Sequence, residues 1–268
     1  MARGGWTGSA GVDPSDASIV FECFSGISSA ESPVEGFGHL SRAVEALGFG
    51  AISYTVVPLS LAAAGKVDPV FLVSPSFSAD FLDHYGQAGL ARHDFTIERA
   101  SAGSVRTLDW QQELRRGELT AEQRGVIDLA RADYGIRNAM TLPTRSDRHV
   151  IAGASVVCEE WDKPFETLRR ERAGTLGHLV RFFHDWAFAT PDFRRHFYAN
   201  FLGQLSDDEV KVIRLAINGQ LLKNSRELYG LSPSRAGNLL SGLYRRLDVK
   251  NASELSYLVG LHQIGQLL

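Results

Sequence analysis

The stretch that most constrains this chain is its last 64 residues, Leu205 to Leu268, where helix starts and stops are written in capping chemistry. Ser206-Asp207-Asp208-Glu209 has capping-box spacing: the Ser206 hydroxyl accepts the Glu209 N–H while Glu209 reaches back to the Ser206 N–H. Val210, Ile213, Ala216 and Ile217 then recur at helical spacing, and Gly219 stands where a left-handed residue ends a helix. A short helix is expected around Lys223 to Tyr229. Gly230-Leu231-Ser232-Pro233 supplies a tight turn, an N-cap and a proline at the first helical position, so a third helix runs from Pro233 to about Leu247. Its buried face is Ala236, Leu239, Leu240, Leu243 and Leu247. Asn251, with Glu254 three positions on, opens a fourth. Helices this short bury little except against one another, which makes this part a small all-α unit.

That order is a helix-turn-helix arrangement, with the third helix placed to lie across a major groove. Leu205-Ser206, Glu209, Ile213, Gly219, Leu231-Ser232-Pro233, Asn238, Leu240, Leu247, Val249 and Asn251 resemble the C-terminal domain of LuxR-type bacterial transcription factors. The resemblance implies double-stranded DNA as partner, at dyad-symmetric promoter sites, and a homodimer to read them. Arg235 and Asn238 are the candidates for base edges, and Ser234, Arg245, Arg246 and Lys250 for phosphates. Two features depart from the family. Gly237 and Leu239 stand where it usually has a lysine and a histidine or similar polar group. Ser225 and Arg226 replace a packed Ile-Ala pair, so the second helix either docks loosely or shifts register to bury Leu221, Leu222 and Leu228.

At 268 residues and 44% apolar content the chain can hold two compact domains. Residues 201–268 carry eight Lys/Arg against six Asp/Glu, leaving twenty against twenty-five for residues 1–200, so the small basic excess sits on the helical unit. No apolar run is long enough to span a membrane and no signal core opens the chain, so the expectation is a cytoplasmic protein. Cys23 and Cys158 allow a disulfide but fit two buried free thiols better, and neither they nor the scattered histidines have metal-ligand spacing. No nucleophile elbow, glycine-rich phosphate loop or zinc-helix motif is present, and His93 and Asp94, adjacent in sequence, point apart; the expectation is no enzyme, no metal and no cofactor.

Residues 1–17, rich in Gly, Ser, Ala and Asp, are expected to be a mobile tail. From Ser18 to Ala187 helical and strand signals alternate. Val34–Leu47 is amphipathic, Ala51–Val57 alternates as a strand, and Pro69–Val73 is a short apolar strand. Thr120 and Gln123 form a second capping box, opening a helix that ends at Tyr134-Gly135. Ala139–Pro143 and Val150–Val157 pair as strands, and a long helix runs from about Lys163 to Ala187. Its apolar face (Phe165, Leu168, Leu176, Leu179, Phe182, Phe183) suits either a dimer contact or closure of the core. Residues 188–204, broken at Thr190-Pro191-Asp192, read as the linker, aromatic enough to pack against something.

Ala132–Pro143 closely resembles a segment of the acyl-homoserine-lactone sensor that precedes this DNA module in quorum-sensing regulators. Phe81 to Tyr85, the nine-residue step to Asp94, and Val105–Trp110 match further blocks, so the resemblance spans about residues 35–265. It implies an α+β fold: an αβα-sandwich sensor and dimerisation domain (18–187), then a small all-α four-helix domain (205–268). It also implies a ligand that is an acyl-homoserine lactone or related small amphipathic molecule, each polar group of which needs a partner in an apolar pocket. By carry-over, Asp94 accepts the amide N–H, Tyr85 donates to the acyl carbonyl, Ser155 bonds the same region and Trp110 packs on the ring. Asp94 also reads as the cap of a helix starting near Phe95. Phe81 replaces a tryptophan whose indole would donate to the lactone, Phe95 replaces a proline, and Ala139 a glycine. Two alternatives stay open: a regulator that works without ligand, and an antagonist that pairs with another LuxR-type regulator without binding DNA.

Overall fold

The structure, a computed structural model, describes residues 16–62, 70–160 and 162–268. It opens with helices α1 (Ala17–Ser29) and α2 (Pro33–Ala46), followed by strand β1 (Ala51–Val57), the short α3 (Leu59–Ala62) and β2 (Val70–Val73). Next come α4 (Ala79–Gln87), α5 (Phe95–Ser101), the two-residue strand β3 (Leu108–Asp109), α6 (Trp110–Arg116) and α7 (Ala121–Tyr134). The hairpin strands β4 (Asn138–Ser146) and β5 (Ile151–Cys158) lead into the 28-residue α8 (Asp162–Ala189). After it lie α9 (Pro191–Phe197), α10 (Ala199–Leu202), α11 (Asp207–Ile217), α12 (Ser225–Tyr229), α13 (Pro233–Arg246) and α14 (Ala252–Leu261).

The described strands form one antiparallel sheet in the order β2-β1-β5-β4-β3. Successive side chains of a strand point to opposite faces, and this parity divides the molecule. Even-numbered Ile52, Tyr54, Val56, Met140, Leu142, Ala154 and Val156 join a core with Ile27 of α1, Leu40 and Val44 of α2, and Leu176, Leu179 and Phe183 of α8. Odd-numbered residues face the other way, toward a second cluster built from α4, α5, α6 and α7. The result is a helix, sheet, helix sandwich. Register between β4 and β5 slips between Pro143 and Arg145, a bulge in the hairpin. Opposite it, Gly153 permits a close approach: a Cβ there would lie 2.6 Å from the Leu142 carbonyl oxygen.

Local signals hold where they are strongest. Both capping boxes form, at Thr120/Gln123 and Ser206/Glu209, and Gly135, Gly219 and Gly230 take positive φ at helix ends. Cys23 and Cys158 are free and buried, and burial pushes the Cys23 thiol up to about 12. Among the described residues no helix is long and apolar enough to cross a membrane.

At four places the structure changes or decides the sequence reading. Of the tail assigned to residues 1–17, residues 1–15 lie outside the described residues, but Asp16 is buried against Arg172 and Thr175 of α8 and Ala17 begins α1. Residues 188–204, read as a linker that packs against something, contain the break at Thr190, where α8 ends and α9 begins with Pro191 at its first position, and Phe197, Tyr198 and Phe201 are buried. The apolar face of α8 is consumed by the fold, since Phe165, Leu176, Leu179 and Phe183 are fully buried and Phe182 packs on Phe24. A shifted second helix is also ruled out. Leu221, Leu222 and Leu228 are 59%, 40% and 49% exposed, while Ser225 is buried and donates to the Leu231 carbonyl.

Candidate ligand-binding site

The odd-numbered residues of β1, β4 and β5 floor a cavity of about 410 Å³, and α4, α5, α6 and α7 roof it. Each roof helix is held by its own sequence. Ser78 caps α4 by accepting the Phe81 N–H, and His84 bonds the Tyr134 hydroxyl at 2.7 Å, tying α4 to α7. Asp109 caps α6 and pairs with Arg169 of α8 at 2.9 Å, which fixes Trp110 as the first residue of α6. Glu113, 2% exposed, is ion-paired with Arg99 of α5 and Arg116 of its own helix, locking α5 to α6.

Phe81, Tyr85, Asp94, Phe95, Trp110, Ala139 and Ser155, picked out by sequence, all line this one cavity. Asp94 combines its two readings. Its Oδ1 accepts the Thr96 N–H at 2.8 Å and the Thr96 hydroxyl at 2.7 Å, capping α5, while Oδ2 accepts the Tyr85 hydroxyl at 2.8 Å. The proton of Tyr85 is therefore already given to Asp94, whereas the sequence reading assigned it to a ligand carbonyl. Burial first, and then the neighbouring carboxylate, raise the Tyr85 hydroxyl well above the ordinary tyrosine range, so it remains a donor. Phe81 lies among the rings of Phe77, Tyr85 and Tyr134 and contributes only apolar surface.

The sheet floor adds residues that sequence reasoning missed. Ser53 of β1 sits opposite Ser155 of β5, which sits opposite Thr141 of β4, so three hydroxyls stand side by side across the floor. Thr141 and Ser155 share a hydrogen bond of 2.8 Å. The signal was present in the alternation itself: Ser53, Thr55, Thr141 and Ser155 are polar residues at the positions facing away from the core. Among the described lining residues Asp94 carries the one formal charge, and no Lys or Arg is there to meet an anion. Among the described residues no cluster of His, Cys, Asp and Glu is gathered as metal ligands would be.

The C-terminal candidates lie elsewhere, on and after α13. Ser234, Arg235, Asn238, Arg245 and Lys250 are exposed. Arg235 is ion-paired with Asp208 at 2.5 Å and Arg246 with Glu209 at 3.0 Å, both at the acidic start of α11. Leu239 packs against the core, and the Gly237 position approaches the Leu222 side chain.

Comparison with known proteins gives a family and a fold. The model of the autoinducer binding domain matches residues 33–187. Escherichia coli SdiA superposes with a TM-score of 0.54 at 14% identity, over 93% of this chain and 98% of that one. SdiA in complex with octanoyl-rac-glycerol gives 0.53 at 14% identity, over 92% and 96%. The N-acylhomoserine-lactone-dependent LuxR family transcription factor CepR2 from Burkholderia cenocepacia gives 0.47 at 18% identity, over 62% of this chain and 93% of that one. No curated protein matches the sequence.

Proposed function

Because the chain belongs to the autoinducer binding domain family across residues 33–187, we propose that it is a LuxR-type transcriptional regulator that senses a small uncharged acyl amphiphile and acts on DNA as a homodimer in the cytoplasm. The observation that carries this reading is the cavity itself, mostly apolar, with one carboxylate at Asp94, a row of hydroxyls across its floor and no cation among its described lining residues. A ligand carboxylate would meet Asp94 with no cation to compensate it, so free fatty acids are disfavoured. A ligand N–H or O–H donates to Asp94, and a carbonyl takes its hydrogen bond from the Ser155 and Thr141 hydroxyls. Trp110 and Phe81 pack on the head group, and Phe95 and Ala139 shape the wall. An acyl-homoserine lactone satisfies this pattern, and so does an acylglycerol. In this reading residues 205–268 form the DNA-binding domain, with Arg235 and Asn238 toward base edges and Ser234, Arg245, Arg246 and Lys250 toward phosphates.

Thermal melting of the full chain with acyl-, aryl- and branched-chain homoserine lactones and with octanoylglycerol tests the sensing half. A ligand at 100 times its dissociation constant adds about 2.7 kcal/mol. No shift with any of them refutes it and leaves the ligand-independent regulator. A gel shift on dyad-symmetric sites tests the DNA half.

Two observations favour a second reading, the antagonist that pairs with another regulator. Two of the six candidate DNA contacts are neutralised by Asp208 and Glu209, and apolar Leu221, Leu222 and Leu228 are exposed on the same helical unit. Failure to shift any dyad site at low salt, with ligand binding intact, selects that reading.

A further inference from the structure

The hairpin of β4 and β5 has two ends with different neighbours. Its middle floors the cavity through Thr141, Pro143, Gly153 and Ser155. Its turn reaches the last helix. Asp147 accepts the His149 and Val150 N–H groups at 2.8 Å each, which closes the turn, and accepts from Arg145 at 3.2 Å, which aims the guanidinium. Arg145 then donates to the carbonyl of Leu261 at 3.2 Å, the last residue of α14, where a cation complements the helix dipole. The next residue, His262, is 1% exposed and bridges the two parts of the chain. Its Nε2 meets the Ser60 hydroxyl of α3 at 2.8 Å and its Nδ1 the Tyr198 hydroxyl at 3.2 Å. Ser60 is itself fixed by its N–H to the His149 carbonyl, 3.0 Å away, and the His149 ring packs edge-on to Tyr257 of α14.

We propose that this hairpin is a latch that holds the C-terminal helical unit against the sheet and transmits to it the state of the cavity wall. The Pro143/Arg145 bulge is what lets one hairpin do both, because it re-aims Arg145 out of the strand's alternation. Occupancy of the cavity bears on Pro143 and Gly153, and the same strands carry that displacement two residues further, to the grip on Leu261. What loads the latch rests on the ligand-sensing reading above; the grip does not.

Hydrogen exchange on the full chain without any ligand is the test. Arg145→Ala removes a charge-assisted bond to a helix end, so exchange in residues 252–268 rises about tenfold or more, and residues 141–146 and 151–155 lose protection with it. Helix α2, remote from the latch, keeps its protection and reports that the variant is folded. Arg145→Lys, which keeps the charge but not the fork, gives a smaller change of the same pattern and stands in if the alanine variant fails to fold. Unchanged exchange in residues 252–268, or a loosened C-terminal unit beside unchanged cavity strands, overturns the proposal. A parallel sample with N-octanoyl homoserine lactone separates the two ideas. If the cavity strands show no added protection, the sensing of that lactone fails while the variants still decide the latch. If they do, residues 252–268 respond in the wild type and not in Arg145→Ala.

Discussion

Acidification reaches two buried histidines and carries a stability cost that follows from their surroundings. His262 is held neutral to about pH 4 by burial and then by Arg145, with Asp147 opposing and His149 adding, and His184 likewise by burial, Arg181 and Arg145. His184 sits deep in α8, 2.6 Å from the Tyr54 hydroxyl. In the unfolded chain both take up protons near 6.5, the ordinary value for histidine. Between about 4 and 6.5 the unfolded state thus binds more protons than the folded one, so stability is full above that window and drains away as pH falls through it. Taking those limits, a move from about pH 7.5 to about pH 5 removes about 2 kcal/mol per histidine, or about 4 kcal/mol for the pair. Against a total of roughly 5–15 kcal/mol for an ordinary domain this is large. Burial also lowers His196, in the same direction. Urea midpoints measured across that range in the wild type, His184→Gln, His262→Gln and the double variant give the result directly. Each single change should flatten the pH dependence by about half. A double variant as steep as the wild type refutes the assignment of the acid sensitivity to these two residues.

Three further outcomes follow from the geometry. Asp94→Asn leaves an oxygen to cap α5 but removes the charge facing Tyr85, so binding of N-octanoyl homoserine lactone, read by thermal shift, weakens about tenfold or more; an unchanged affinity excludes Asp94 from the head-group contact. Gly153→Ala places a methyl against the Leu142 carbonyl and costs about 1–3 kcal/mol, visible as a lower urea midpoint, whereas an unmoved midpoint means that the hairpin opens without strain. Asp208→Asn releases Arg235, and in a gel shift the dependence of log affinity on log salt steepens by about 0.9, the value for one added phosphate contact; an identical slope leaves Arg235 outside the DNA interface.

How far the sequence could be read depended on whether a signal was local. The start of α11 was legible because Ser206 and Glu209 satisfy each other within four residues, and the same holds for α7. The cavity candidates were legible through a resemblance in residue types and spacing, and all seven meet at one place. The hydroxyl row was not found, because pairing Ser53 with Ser155 and Thr141 requires strand registers that no single segment encodes. The segment 188–204 was legible only in part for a related reason: Thr190-Pro191 marks the break where α8 ends and α9 begins, but what covers Phe197, Tyr198 and Phe201 is set by distant residues. For α8 the apolar stripe was plain, but a stripe does not say which surface covers it. Exposure of Leu221, Leu222 and Leu228 ran against the hydrophobic pattern, since buried Ser225 holds α12 in place through a backbone carbonyl instead.

The apolar core that begins at β1 continues without a break through Phe197, Tyr198 and Phe201 to Val212, Leu243 and Leu258. Regulators with separable parts invite transplantation, in which one protein's sensor is joined to another's reader at the junction between them. Here a splice at residue 204 would part Tyr198 from His262 and would strand Arg194 without Gln263 and Gln266. A splice after Ala189 would instead part Phe197 from Tyr54 and Phe193 from Trp186, so neither end of residues 190–204 is a clean boundary for grafting.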